Sequence, residues 1–189
     1  MIENWCVKWR IKLNVAKTQL ISFSNAKQAM ELTLFGERIQ DSKEMTLLGV
    51  TFDKRLSLTT HCESRAAKAA QRVRLLRVVS GKNWGARAPT LLKLYKQYIR
   101  PVLESGYPAT SKASASRLNL MQRVQNSALR IALRAGRRSR ITDLHTVARI
   151  QPLADRLRSL HCKAIARYGE SESIKALAFQ RTLLTDTAV

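Results

Sequence analysis

The residues with the clearest chemical potential are cations at helical spacing. Lys93, Lys96 and Arg100 fall three and four apart, which sets three positive charges along one line of a helix. Arg123, Arg130 and Arg134 make a second stripe, with Asn126 between them. Arg65, Lys68 and Arg72 make a third, and Arg137, Arg138 and Arg140 follow in the run RRSR. Such stripes can neutralise successive phosphates of a nucleic-acid backbone. The plainer reading is a set of solvated outer faces, but ordinary outer faces mix signs. Between Ser64 and Thr142 there are 18 basic residues and one acid, Glu104.

Other chemistries find less support. A metal-dependent enzyme on nucleic acid needs two or three convergent carboxylates. No two acids are adjacent, and the nearest candidate pair is Glu170 and Glu172 in an expected loop. His61-Cys62 and His161-Cys162 lack the paired spacing of a zinc site, and Cys162 is expected at a small apolar helix position. No P-loop, HExxH or CxxC motif occurs. No metal ligand and no catalytic residue is therefore assigned. Tyr95, Tyr98 and Tyr107 could stack on bases, although at helical spacing Tyr95 and Tyr98 read as core. Lys17 stands before a strand-like stretch, where it could meet a triphosphate or serve as a polar turn residue.

These side chains need a scaffold, and the composition supplies one. The chain has 189 residues, 45% of them apolar, enough for a packed core. The net charge is +21, a burden for a compact fold that a polyanionic partner relieves. The charge is uneven: seven acids lie before residue 64, so the first third is closer to neutral. Three widely spaced cysteines argue for a reducing compartment, and the start MIENWCVKWR lacks the apolar run of a secretory signal. Nucleus or cytoplasm is expected, with no secretion. No run approaches the ~18 apolar residues of a membrane span.

The periodicity predicts strands first and helices after. TQLISFS (18–24) alternates like a strand, residues 30–40 read as a hairpin turning at Gly36, and 45–53 read as a third β run interrupted at Gly49. After Leu56 the period is helical. Helices are expected over 62–80, stopped by Gly81, and over 88–104, kinked or ended by Pro101. Leu91, Tyr95, Tyr98 and Val102 should share the second helix's inner face, with Leu92 and Ile99 beside them. A loop is expected at 106–116. A helix over 117–136 should bury Leu118, Met121, Val124, Ala128, Ile131 and Ala132. Helices near 142–149 and 153–168 complete the pattern, with one more short helix in the tail. The fold class is α+β.

Three blocks, in order, resemble a known family. KWRIKLNVAKTQLISFS is similar to the segment that follows the catalytic aspartate hairpin in reverse transcriptases of non-LTR retrotransposons, the LINE-like and jockey-like elements. LFGERIQDSKEMTLLGVTFDKRLSLTTHCESRAAKA resembles the next block: a G-x-x-I hairpin, a Leu-Gly-Val strand, an Asp, and a helix after a His. LLKLYKQYIRPVLESGYP, LMQRVQNSALRIALRAGRR and LHTVARIQPLADRL resemble the helical region beyond it. The chain departs from the pattern at ESGYPATS, where the family carries an aromatic residue before the Gly or Ala and a Trp shortly after.

The resemblance implies a right-hand polymerase fold and RNA-directed DNA synthesis, with magnesium in the intact enzyme. Residues 1–56 would be a palm-edge remnant holding a primer-gripping hairpin near Leu47 to Asp53. Residues 57–136 would be a basic, thumb-like helical region, and 137–189 a C-terminal helical extension. Lys17 matches a lysine that approaches the incoming nucleotide's phosphates. The aspartates of catalysis are expected upstream of Met1, so the chain alone should hold a template–primer duplex of RNA and DNA without extending it. It would need no cofactor, membrane or small-molecule substrate. The other readings are a non-enzymatic, basic helical nucleic-acid-binding protein and cationic helices acting at membranes. Palm strands without neighbours are expected to leave apolar surface exposed.

Overall fold

Phe35-Gly36 and Leu48-Gly49 set the local architecture of the first unit, residues 1–61. Both residues of each pair have positive φ, 51° and 78° in the first, 49° and 78° in the second. That is the geometry of a two-residue turn whose twist matches paired strands. Hence β1 (Leu32–Leu34) pairs antiparallel with β2 (Glu37–Ile39), and β3 (Glu44–Leu47) with β4 (Val50–Asp53). Residues 45–53, read by period as one β run interrupted at Gly49, thus form a hairpin, the shape the resemblance implied near Leu47 to Asp53. Gly49 lets the chain reverse. Leu48, 96% exposed, sits at the tip of that reversal.

The computed structural model describes residues 2–23, 31–81 and 84–169. Within the first unit, α1 (Ile2–Lys8) meets the first hairpin where Glu3 Oε1 accepts the Phe35 N–H at 2.6 Å. The strand expected from Thr18 does not form over its described part. Leu20 makes a single parallel bridge to Asp41, and its carbonyl accepts the Ser42 N–H at 2.8 Å. An alternating pattern makes a strand only where a neighbour supplies the ladder; here one rung is supplied. Trp5, Trp9, Phe23 and Phe35 are exposed in this unit.

The second unit, from Cys62 onward, is helical. Helix α2 (Thr59–Val78) reaches it and buries Cys62, Ala69, Val73 and Leu76, while Leu75 and Val78 stay exposed. Pro89 opens α3 (Ala88–Leu94), as its fixed φ and missing N–H allow. A π-helical turn, Tyr95–Ile99, then leads into α4 (Arg100–Glu104). Pro101 neither breaks nor ends this run. It has no N–H to give and would crowd the carbonyl four residues back. The widened turn, in which the Arg100 N–H reaches back to the Tyr95 carbonyl, accommodates it.

The widened turn also resets the inner face. Leu91, Tyr95, Ile99 and Leu103 are all fully buried, whereas Tyr98 is 43% exposed. Tyr98 is therefore surface and not core. In the expected loop, Gly106, left-handed at φ 74°, reverses the chain into a short α5 (Tyr107–Thr110). Helix α6 (Ala115–Ala132) follows, then α7 (Ile141–Ala148) and α8 (Leu153–Gly169). Met121, Ala128, Leu129 and Ala132 of α6 are buried with Leu144, Leu153 and Leu157. Leu118, Val124 and Ile131, expected in that core, are half-buried. The expected tail helix lies outside the described residues, as do Glu170 and Glu172.

Candidate nucleic-acid interface

The helical unit gathers many of the candidate cations into three pockets that share no lining residue. In the first, α2 presents Arg65, Lys68 and Arg72 beside Tyr98, in a cavity of about 460 Å³. The Arg72 guanidinium carbon lies 4.4 Å from the Tyr98 ring centroid, and Nη1 donates to the Tyr98 carbonyl. A cation over a ring face is attracted by the ring's quadrupole, so Arg72 is held in place by an aromatic plane and a carbonyl.

The second pocket, about 410 Å³, combines Lys96 and Arg100 with Arg149 and Arg156 around Glu104. Glu104 Oε1 lies 2.9 Å from Arg156 Nε and 3.3 Å from Arg100 Nε. One carboxylate thus faces two guanidiniums, and the pocket keeps a positive excess. Arg100 is not a free outer-face cation as its spacing suggested; it is half-buried and committed to this pair. Arg149 and Arg156 did not stand out in the sequence. The available signal was an arginine at each end of RIQPLADR, which runs from the end of α7 into the first turn of α8.

The third pocket, about 560 Å³, is lined by Arg77, Arg130 and Arg137, with Ser127, Ile131 and Ala135. Arg134 is exposed and donates through Nη2 to the Gly81 carbonyl at 3.1 Å. Lys93, Arg123, Arg138 and Arg140 are exposed and line none of these pockets. Asn126 is not part of a surface stripe. It is buried with Gln125, and its Oδ1 accepts from Gln122 Nε2 at 2.8 Å and faces His145 Nε2 at 3.1 Å. A polar residue can lie inward where α6 meets the chain between α7 and α8, because partners await it there.

Lys17 ends a short 3₁₀ turn, Val15–Lys17, capped by Asn14, whose Oδ1 accepts the Lys17 N–H at 3.2 Å. Its side chain is exposed and lines neither cavity of the first unit next to that turn. Tyr95 is wholly buried, and burial pushes its phenol well above the usual value. Burial likewise raises the Cys62 thiol against the pull of Arg117, which leaves it a poor nucleophile. Cys162, expected at a small apolar helix position, is exposed on α8. Among the described residues no three His, Cys, Asp or Glu side chains group to hold a metal ion. They therefore do not fit the magnesium that the resemblance implies for the intact enzyme. No described helix is long and apolar enough to cross a membrane.

No protein-family model and no solved structure matches the chain. Curated relatives do. The RNA-directed DNA polymerase from mobile element jockey of Drosophila funebris is 23% identical over 159 residues, which is 84% of this chain and 17% of that protein. The probable RNA-directed DNA polymerase from transposon BS of Drosophila melanogaster is 26% identical over 198 aligned positions, 95% of this chain and 22% of the relative. The jockey polymerase of Drosophila melanogaster is 23% identical over 170 residues, covering 87% and 18%. The chain spans about a fifth of the length of these relatives. Along nearly all of its own length, the chain is thus similar to a section of the RNA-directed DNA polymerases of jockey-like, non-LTR mobile elements.

Proposed function

We propose that this chain is the part of a non-LTR retrotransposon reverse transcriptase that grips the template–primer duplex. Its partners are RNA and DNA, and its place of work is the nucleus or cytoplasm. The observation that carries the reading is the set of three cation-lined pockets on one helical unit, in a stretch where Glu104 is the single acid between Ser64 and Thr142. Glu104 is itself shared by two arginines, so most of the positive charge remains for an outside anion. The similarity to RNA-directed DNA polymerases supports nucleic acid as that anion.

The test is equilibrium binding of an RNA–DNA heteroduplex across a salt series. Neutralising about six phosphates gives a steep line, with affinity falling roughly a thousandfold between about 50 and 200 mM salt. Weak binding with a flat salt response overturns the reading. A companion primer-extension assay with magnesium should give no incorporation from these 189 residues, because the described ones offer no acidic cluster. Incorporation above background overturns that part.

A further inference from the structure

We propose that the Arg72–Tyr98 pocket is a stacking site for one unpaired nucleotide of single-stranded RNA or DNA. This deepens the reading above and rests on nucleic acid being the ligand. The pocket differs from the other two in having an exposed aromatic ring. Tyr98 is 43% exposed because the π-helical turn carries it out of the core face. The Arg72 guanidinium carbon sits over the ring, 4.4 Å from its centroid, and the Tyr98 carbonyl fixes the guanidinium from a second direction. A guanidinium held this way offers its other face to a base, giving a base–arginine–tyrosine stack.

The rest of the lining suits a nucleotide. Leu75, 56% exposed, and Val102 supply apolar wall. Gln71 has an amide that can meet either donors or acceptors on a base edge, so little sequence preference is expected. Lys68 is exposed at the rim, where a phosphate would lie. The cavity of about 460 Å³ is within the range that holds small organic ligands. Bases inside a duplex are already stacked on one another and cannot enter, so the occupant is an unpaired one.

The experiment is fluorescence anisotropy with short non-self-complementary single strands, DNA and RNA in separate arms, beside a blunt heteroduplex of equal length. Arg72→Lys keeps the charge and loses the plane. It should weaken single-strand binding about tenfold, as should Tyr98→Ala, with a clearly smaller loss for the blunt duplex, which draws on the charge of this pocket but not on its stack. Tyr98→Phe keeps the ring and should bind as the parent does. Far-UV circular dichroism and melting confirm that each variant is folded, which the exposure of Tyr98 favours. The proposal is overturned if Arg72→Lys binds single strands like the parent, or if both ligands lose affinity equally. Duplex binding that stays steep in salt while the single-strand arms fail leaves the duplex reading standing and removes this one. Stack-dependent single-strand binding with no duplex binding does the reverse.

Discussion

At the scale of single residues, Asp53 shows how much one carboxylate can organise. It closes β4, and four donors converge on it. Oδ1 accepts the N–H groups of Arg55 and Ser57, each at 3.0 Å. Oδ2 accepts the Ser57 hydroxyl at 2.9 Å and the Leu58 N–H at 2.8 Å. Burial alone would raise its pKa; the hydrogen bonds outweigh burial and hold the carboxyl below its ordinary value of 3.8. A carboxyl depressed in the native state stabilises fully above its unfolded pKa. That contribution is lost as pH falls through the lower, native value. Asp53→Asn should therefore cost about 1–2 kcal/mol near neutral pH, since an amide nitrogen cannot accept from Leu58 and Ser57. The gap between parent and variant should narrow below about pH 4. Urea midpoints at the two pH values check this; an equal gap at both would remove the charged carboxylate as the cause. The family pattern marked this aspartate in the sequence, beside a hairpin expected to grip a primer. Its role in shaping the turn into α2 was invisible, because three of its four donors are backbone N–H groups, which no residue type marks and whose direction only the folded turn supplies.

At the scale of elements, the joint between α6, α7 and α8 is polar, and its energetics are testable. Gln122 Nε2 donates to Gln125 Oε1 at 2.9 Å and to Asn126 Oδ1 at 2.8 Å, while its own Oε1 accepts the Leu153 N–H at 2.7 Å. Gln125 donates to the Gln151 carbonyl at 3.0 Å, and His145 Nδ1 donates to the Ile150 carbonyl at 2.8 Å. The first turn of α8 and the left-handed end of α7 at Arg149 are both anchored by this network. Asn126→Ala should cost about 1–3 kcal/mol, because it strands partners away from water. Paired with His145→Ala in a double-mutant cycle, it should show coupling above about 0.5 kcal/mol. Additive urea-denaturation losses would mean the side chains act separately. The helices themselves were legible: apolar spacing located α2, α3, α6, α7 and α8, and Gly36 located the first turn. Two things were not. An amide within a stripe of arginines reads as surface unless its partners, 19 residues away at His145, are known. A π-helical turn changes which residues point inward, and a search at fixed helical period cannot register it; hence Tyr98 read as core.

At the scale of the whole molecule, net charge makes opposing demands on the free and bound states. With +21, the folded chain repels itself, most strongly at low ionic strength, where the repulsion extends over ~30 Å at about 0.01 M. Added salt shortens that range to ~8 Å near 0.15 M, so the melting temperature of the free protein should rise with salt. A bound heteroduplex relieves the same repulsion and stabilises the fold by mass action, by about 2.7 kcal/mol at a hundredfold excess over Kd. Salt weakens that binding, because each counterion freed gains less entropy when more are already in solution. The melting temperature of the complex should therefore start well above that of the free chain and fall toward it as salt increases. The two curves approach from opposite sides, a pattern that neither a merely basic fold nor a salt-insensitive binder produces. Melting scans with and without heteroduplex, from about 10 to 300 mM salt, read both slopes at once. Parallel curves would mean that the duplex is held by something other than the lysines and arginines of the helical unit. A free-protein curve that falls with salt would mean that the positive charges are already balanced within the fold and no polyanion is needed to satisfy them.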